Sequence, residues 1–116
     1  MVKLIYCFRR RQGMDDAAFN DYWEKVHAPI GAQIPGLKGF VQSRALHIPG
    51  DARRPDFDGV VELWFDDIAA LLRARSSKEW LRSGLDEANF VDPESTAYLV
   101  TEERTILPEQ RSWLER

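Results

Sequence analysis

Apolar side chains return every three or four positions along Phe19, Trp23, Val26 and Ile30. That spacing predicts an amphipathic helix with one core-facing stripe. Pro29 disfavours helical geometry at Ala28, so a kink or a restart is expected there. Pro35-Gly36 then turns the chain into an alternating segment, residues 37–46, with Leu37, Gly39, Val41, Ser43 and Ala45 on one side. Lys38, Phe40, Gln42, Arg44 and Leu46 lie on the other, the two-residue period of a strand. Residues 2–9 before the helix are rich in Val, Leu, Ile, Tyr and Phe, with apolar groups on both faces. They read as a strand covered on both sides.

The second half repeats this order. Residues 47–56 hold two prolines and a glycine and read as a loop. Residues 57–65 form the third strand, and Asp66 is placed as a helix cap. Ile68, Leu71 and Leu72 are expected to face inward on the helix that follows. Ser76 and Glu79 resemble a capping box that opens a further helical segment through Trp80, Leu81 and Leu85. Residues 90–94 read as a turn, 96–106 as the fourth strand, and 107–116 as a tail after a single domain over 1–106. Two β-α-β halves of this kind make an α+β, ferredoxin-like βαββαβ plait: a four-stranded antiparallel sheet with helices on one face. Val60, Glu62 and Trp64 share one face of the third strand, and Phe57, Val61, Leu63 and Phe65 the other. Helices can cover only one of those apolar faces, so a homodimer closed sheet to sheet is expected.

Composition narrows the function classes. The 116 residues carry 16 basic and 19 acidic side chains, a formal charge of −3, which argues against an electrostatic nucleic-acid binder. The single cysteine, Cys7, excludes an internal disulfide framework and fits a reducing compartment. The apolar run at residues 2–8 is broken by Lys3 and stopped by three arginines. It is too short to span a membrane, so no membrane partner and a cytoplasmic location are expected.

His27 is one of two histidines and the only one on a predicted regular element. Imidazole titrates near neutrality without tuning, so His27 is the first candidate for proton transfer. The competing reading is a helix-end histidine that complements the dipole. Tyr22 and Trp23 are candidates to line a pocket for an aromatic ligand; the alternative for Trp23 is the core, and for Tyr22, off the stripe centre, a hydroxyl near the barrel seam or in water. Gln42 and Glu62 are polar residues inside strands, and each needs a partner if buried. Glu62 is a candidate second acid–base group, or half of an interface salt bridge with a residue such as Arg44. Phe40 and Trp64 suit cleft and interface walls equally. Cys7 reads as a small strand residue and His47 as a solvated loop residue. Metal-ligand spacing, a glycine-rich phosphate loop and a Gly-x-Ser-x-Gly elbow are absent, so cofactor-free chemistry is expected, with no metal.

The Phe-x-x-Tyr-Trp-x-x-x-His-Ala-Pro helix, the Pro35-Gly36-Leu37 turn and the Glu62-Leu63-Trp64-Phe65 strand together resemble the EthD family of the dimeric α/β-barrel superfamily. The resemblance covers roughly residues 2–106. It implies a dimer whose two sheets close a barrel, with a small-molecule cleft between each sheet and its own helices. Methylisomerase-like relatives carry a cysteine and a tyrosine where this chain has Phe40 and Leu63, which argues against thiol-dependent isomerisation. Haem-degrading relatives use a histidine on the second helix, and residues 66–92 contain none. The resemblance therefore implies a cofactor-independent cyclase, isomerase or dehydratase of an aromatic, lactone or polyketide-like molecule, with His27 as proton shuttle. The alternatives are a non-catalytic binding protein for a hydrophobic intermediate and a cofactorless monooxygenase.

Overall fold

A computed structural model describes residues 1–107. Strands β1 (Val2–Phe8), β2 (Gly39–Arg44), β3 (Gly59–Phe65) and β4 (Ala97–Glu102) form one antiparallel sheet in the order β2-β3-β1-β4. The helices are α1 (Asp16–Tyr22), α2 (Ala28–Gly31), α3 (Ile68–Arg75) and α4 (Lys78–Asp86). Central β1 and β3 come from different halves of the chain, the ferredoxin-like topology expected from the sequence. Strands two and four are shorter than expected, and Phe57 precedes the third strand instead of lying in it. The expected tail, apart from Leu107, lies outside the described residues. Among the described residues no helix is long and apolar enough to cross a membrane.

The sheet has two unlike faces. Val2, Leu4 and Phe8 of β1 and Val61, Leu63 and Phe65 of β3 are buried beneath the helices. Their pairing register, Leu4 opposite Leu63, keeps both sets on one side. The other side carries Ile5, Val41, Val60 and Leu99, with Val41 and Leu99 well exposed.

The helix caps differ from the sequence reading by one residue at two places. Asp15 caps α1, its carboxylate accepting from the Ala18 N–H at 2.7 Å. Asp67, not Asp66, caps α3, and Ser77, not Ser76, caps α4. Both true caps sit in extended backbone, which aims the side-chain oxygen at the third N–H of the helix. On α3, Leu71 faces the core as expected, together with Ala70 and Ala74, whereas Ile68 and Leu72, expected inward, are exposed. Leu81 and Leu85 of α4 are also exposed.

The largest departure lies between α1 and α2. Trp23–His27 form a π-helical turn in which the Ala28 N–H reaches back five residues to the Trp23 carbonyl. Pro29 supplies the cause. It has no N–H, and its ring would press on the carbonyl four residues earlier in a regular helix; a widened turn accommodates it. The extra residue in the turn rotates the expected stripe. Phe19, Trp23 and His27 are buried, whereas Val26 is 44% exposed.

Candidate functional site

A cavity of about 300 Å³ lies between the helix-facing side of the sheet and α2, α3 and α4. Leu4, Phe8, Val61 and Leu63 form its floor, and Trp23, Ile34, Leu71, Trp80 and Phe90 its walls. His27, 8% exposed, borders it because the π turn carries the ring inward.

The imidazole is held from behind. Its Nδ1 lies 2.8 Å from Asp86 Oδ2 at the end of α4. Tyr22 donates its hydroxyl to Asp86 Oδ1 at 2.6 Å, and Asn89 donates to the same oxygen at 3.0 Å and to the Tyr22 oxygen at 3.1 Å. The Phe90 ring packs against His27 at 4.6 Å between centroids. An ionised Asp86 accepts from Nδ1–H, and in the neutral form of the ring that tautomer leaves Nε2 as the acceptor nitrogen. Burial works to raise the Asp86 carboxyl, but hydrogen bonds from Tyr22, His27 and Asn89 outweigh it and hold it below the usual carboxylate value. The bond to Asp86 in turn raises the Tyr22 phenol.

A second pair borders the same cavity. Burial, reinforced by a hydrogen bond to Glu87, raises the Tyr6 phenol well above its ordinary value. Burial likewise raises the Glu87 carboxyl against the lowering effect of Tyr6 and His27. A group with a raised folded-state pKa contributes stability that is complete below its unfolded value, about 4.3 for Glu, and is lost as pH rises through the folded value. Glu87→Gln removes that loss. Its melting temperature relative to the parent is therefore expected to be higher at about pH 8 than at about pH 4. An equal difference at both pH values would contradict the burial of this carboxyl.

The residues singled out from the sequence divide between the two faces of the sheet. His27, Trp23 and Phe40 line the cavity, and Tyr22 stands behind His27 through Asp86. Trp23 is also a core residue, 2% exposed, so the pocket and core readings both hold for it. Gln42 lies on the same side but is spent on structure, donating to the Trp23 carbonyl at 3.0 Å. Glu62 and Trp64 lie on the opposite face. Within the chain Glu62 pairs with Lys3 at 2.8 Å, and Trp64 Nε1 donates to Glu103 at 2.8 Å. This face separation keeps Glu62 out of any shared chemistry with His27 at one cavity.

Sequence reasoning missed Asp86 and Glu87. One signal was present: two carboxylates stand together where α4 ends, with no basic residue in its last turn. Negative charge is unfavourable at that end of a helix, so something other than helix stability accounts for them. Among the described residues no cluster of His, Cys, Asp or Glu could hold a metal ion.

Comparison with known proteins agrees with this architecture. The EthD domain model matches residues 11–94. An uncharacterised 11.0 kDa protein from the thcB-thcC intergenic region of Rhodococcus erythropolis is 32% identical over 94 residues, covering 81% of this chain and 88% of the relative. The crystal structure of an ethyl tert-butyl ether degradation (EthD) family protein from Bacillus halodurans superposes with a TM-score of 0.75 at 29% identity, over 90% of this chain and 99% of that one. SnoaB, a cofactor-independent oxygenase from Streptomyces nogalater, shares the fold at 19% identity and a TM-score of 0.64, over 93% and 97% of the two chains. The model match and the Rhodococcus relative together place this chain in the EthD family.

Proposed function

We propose that this protein takes a hydrophobic small molecule into the helix–sheet cavity and moves a proton on it with His27. The observation that carries this reading is the His27–Asp86 pair: an imidazole fixed by a carboxylate behind it, at the edge of an apolar cavity. In the reaction, Nε2 takes a proton from an acidic C–H or O–H of the substrate. The Asp86 carboxylate stabilises the imidazolium that forms, and the apolar walls strengthen that interaction by excluding water. The His27 imidazolium then returns that proton to the substrate at a second atom, which restores the neutral ring. Cyclisation, isomerisation and dehydration of an aromatic, lactone or polyketide-like molecule all use such a transfer.

The test follows exchange of the benzylic protons of 2-tetralone, a bicyclic aromatic ketone, in D₂O by proton NMR. The wild type is expected to accelerate exchange, and His27→Gln to return it to the buffer rate. Equal rates for the two proteins would exclude the proton shuttle. Saturable binding without acceleration would point instead to a carrier for a hydrophobic intermediate.

The second part of the proposal is a homodimer closed through the open sheet face. Ile5, Val41, Val60 and Leu99 form an apolar surface there around the Lys3–Glu62 pair, and solvent-facing sheets of this kind are ordinarily polar. Sedimentation is expected to show a dimer at micromolar concentration, and Val41→Lys with Leu99→Lys to shift it to monomer. A monomeric wild type would remove the barrel.

A further inference from the structure

Arg75 stands in the last turn of α3 and borders the cavity. It is the only lysine or arginine to do so among the described residues. Some cations elsewhere are paired, Lys3 with Glu62 and Glu103, Arg10 with Asp16 and Asp58, Lys25 with Asp21, Lys38 with Asp66 and Arg53 with Asp56; others, Arg73 among them, have no ion pair among the described residues but do not border the cavity. Arg75 has no ion pair among the described residues, although two carboxylates belong to the same region. Those carboxylates are otherwise engaged, Asp86 by Tyr22, His27 and Asn89, and Glu87 by Tyr6. The cavity thus has an acid–base cluster, apolar walls and a separate unpaired guanidinium. Ser83 and Tyr98 also border it with hydroxyls that have no side-chain partner among the described residues.

We propose that the substrate is an amphiphilic acid: an aromatic or polycyclic body with a carboxylate that Arg75 holds, while its acidic C–H or O–H end reaches His27. The inference rests on the cavity being the ligand site. A guanidinium offers two parallel N–H donors that match a carboxylate, and an apolar wall beside it favours a flat ring over water. Helix capping alone does not account for Arg75. Arg73 occupies the same last turn and serves the α3 dipole equally, but does not border the cavity.

The experiment compares 2-naphthoate with its neutral isostere 2-naphthamide by NMR titration of the full chain, following the His27 ring resonance. The chain has only two histidines, so the assignment is direct. In the wild type 2-naphthoate is expected to bind roughly tenfold more tightly, as charge-assisted bonds contribute more than neutral ones. The preference should shrink with added salt because the guanidinium is solvent-exposed. Arg75→Gln is expected to abolish it, and Arg73→Gln to retain it. Equal affinity of the two probes in the wild type, or a preference that survives Arg75→Gln, overturns the anionic-substrate proposal and leaves the cavity standing as a ligand site. Failure of both probes to move the His27 resonance overturns the proposal and the cavity reading together.

Discussion

Asp86→Asn is expected to lower turnover by roughly 10²–10⁴-fold, the usual worth of a general acid–base group, although the side chain keeps its size. The reason is the tautomer. Oδ1 of Asp86 accepts from both Tyr22 and Asn89. In the asparagine variant the amide oxygen takes that position, because it alone can accept those two bonds. The amide NH₂ then occupies the Oδ2 position and donates to His27 Nδ1, where the parent carboxylate lies at 2.8 Å. An imidazole that accepts at Nδ1 carries its proton on Nε2, so the nitrogen at the cavity can no longer remove one. Substrate affinity should change far less, since apolar walls hold most of the molecule. A kcat unchanged from the parent, with the His27 tautomer shifted in a ¹⁵N spectrum, would show that Nε2 is not the base.

Trp23→Ala is expected to destabilise the protein by about 3–5 kcal/mol, a large share of the roughly 5–15 kcal/mol typical of a domain. Trp23 packs against Phe8 at 5.2 Å and Phe19 at 5.5 Å between ring centroids. Its six-membered ring covers Gly59, where an added Cβ would lie 2.7 Å from the nearest ring atom. The glycine and the tryptophan are therefore matched, and truncating the ring opens a cavity in the aromatic cluster that the rigid sheet cannot fill. Its indole N–H has no hydrogen-bond partner, so the substitution removes packing without breaking a polar contact. Urea unfolding should show a lower midpoint with the same m-value. A loss below about 1 kcal/mol would place the centre of the core elsewhere.

Trp23 also links stability to the site. It begins the π turn that ends at His27, and its carbonyl accepts both the Ala28 N–H that closes the turn and the Gln42 amide from β2. The histidine's position is therefore set by the packing of one core residue and the geometry of one proline.

Sequence periodicity was enough to determine the order of strands and helices and the antiparallel ferredoxin-like sheet. These are local properties: a two-residue alternation or a three-to-four-residue return is written within a dozen positions. The Phe-x-x-Tyr-Trp-x-x-x-His-Ala-Pro motif also carried the EthD family. Tertiary structure alone decided the rest. A regular helix puts Val26 on the buried stripe; the π turn exchanges it for His27, and only folding around Pro29 selects that turn. Glu62 looked as fit for chemistry as any strand carboxylate, but strand pairing sends it to the face opposite His27, where it meets Lys3. Asp86 reaches His27 across 59 positions of sequence. Residues so distant share no local pattern, and their meeting depends on how α4 packs beside the turn.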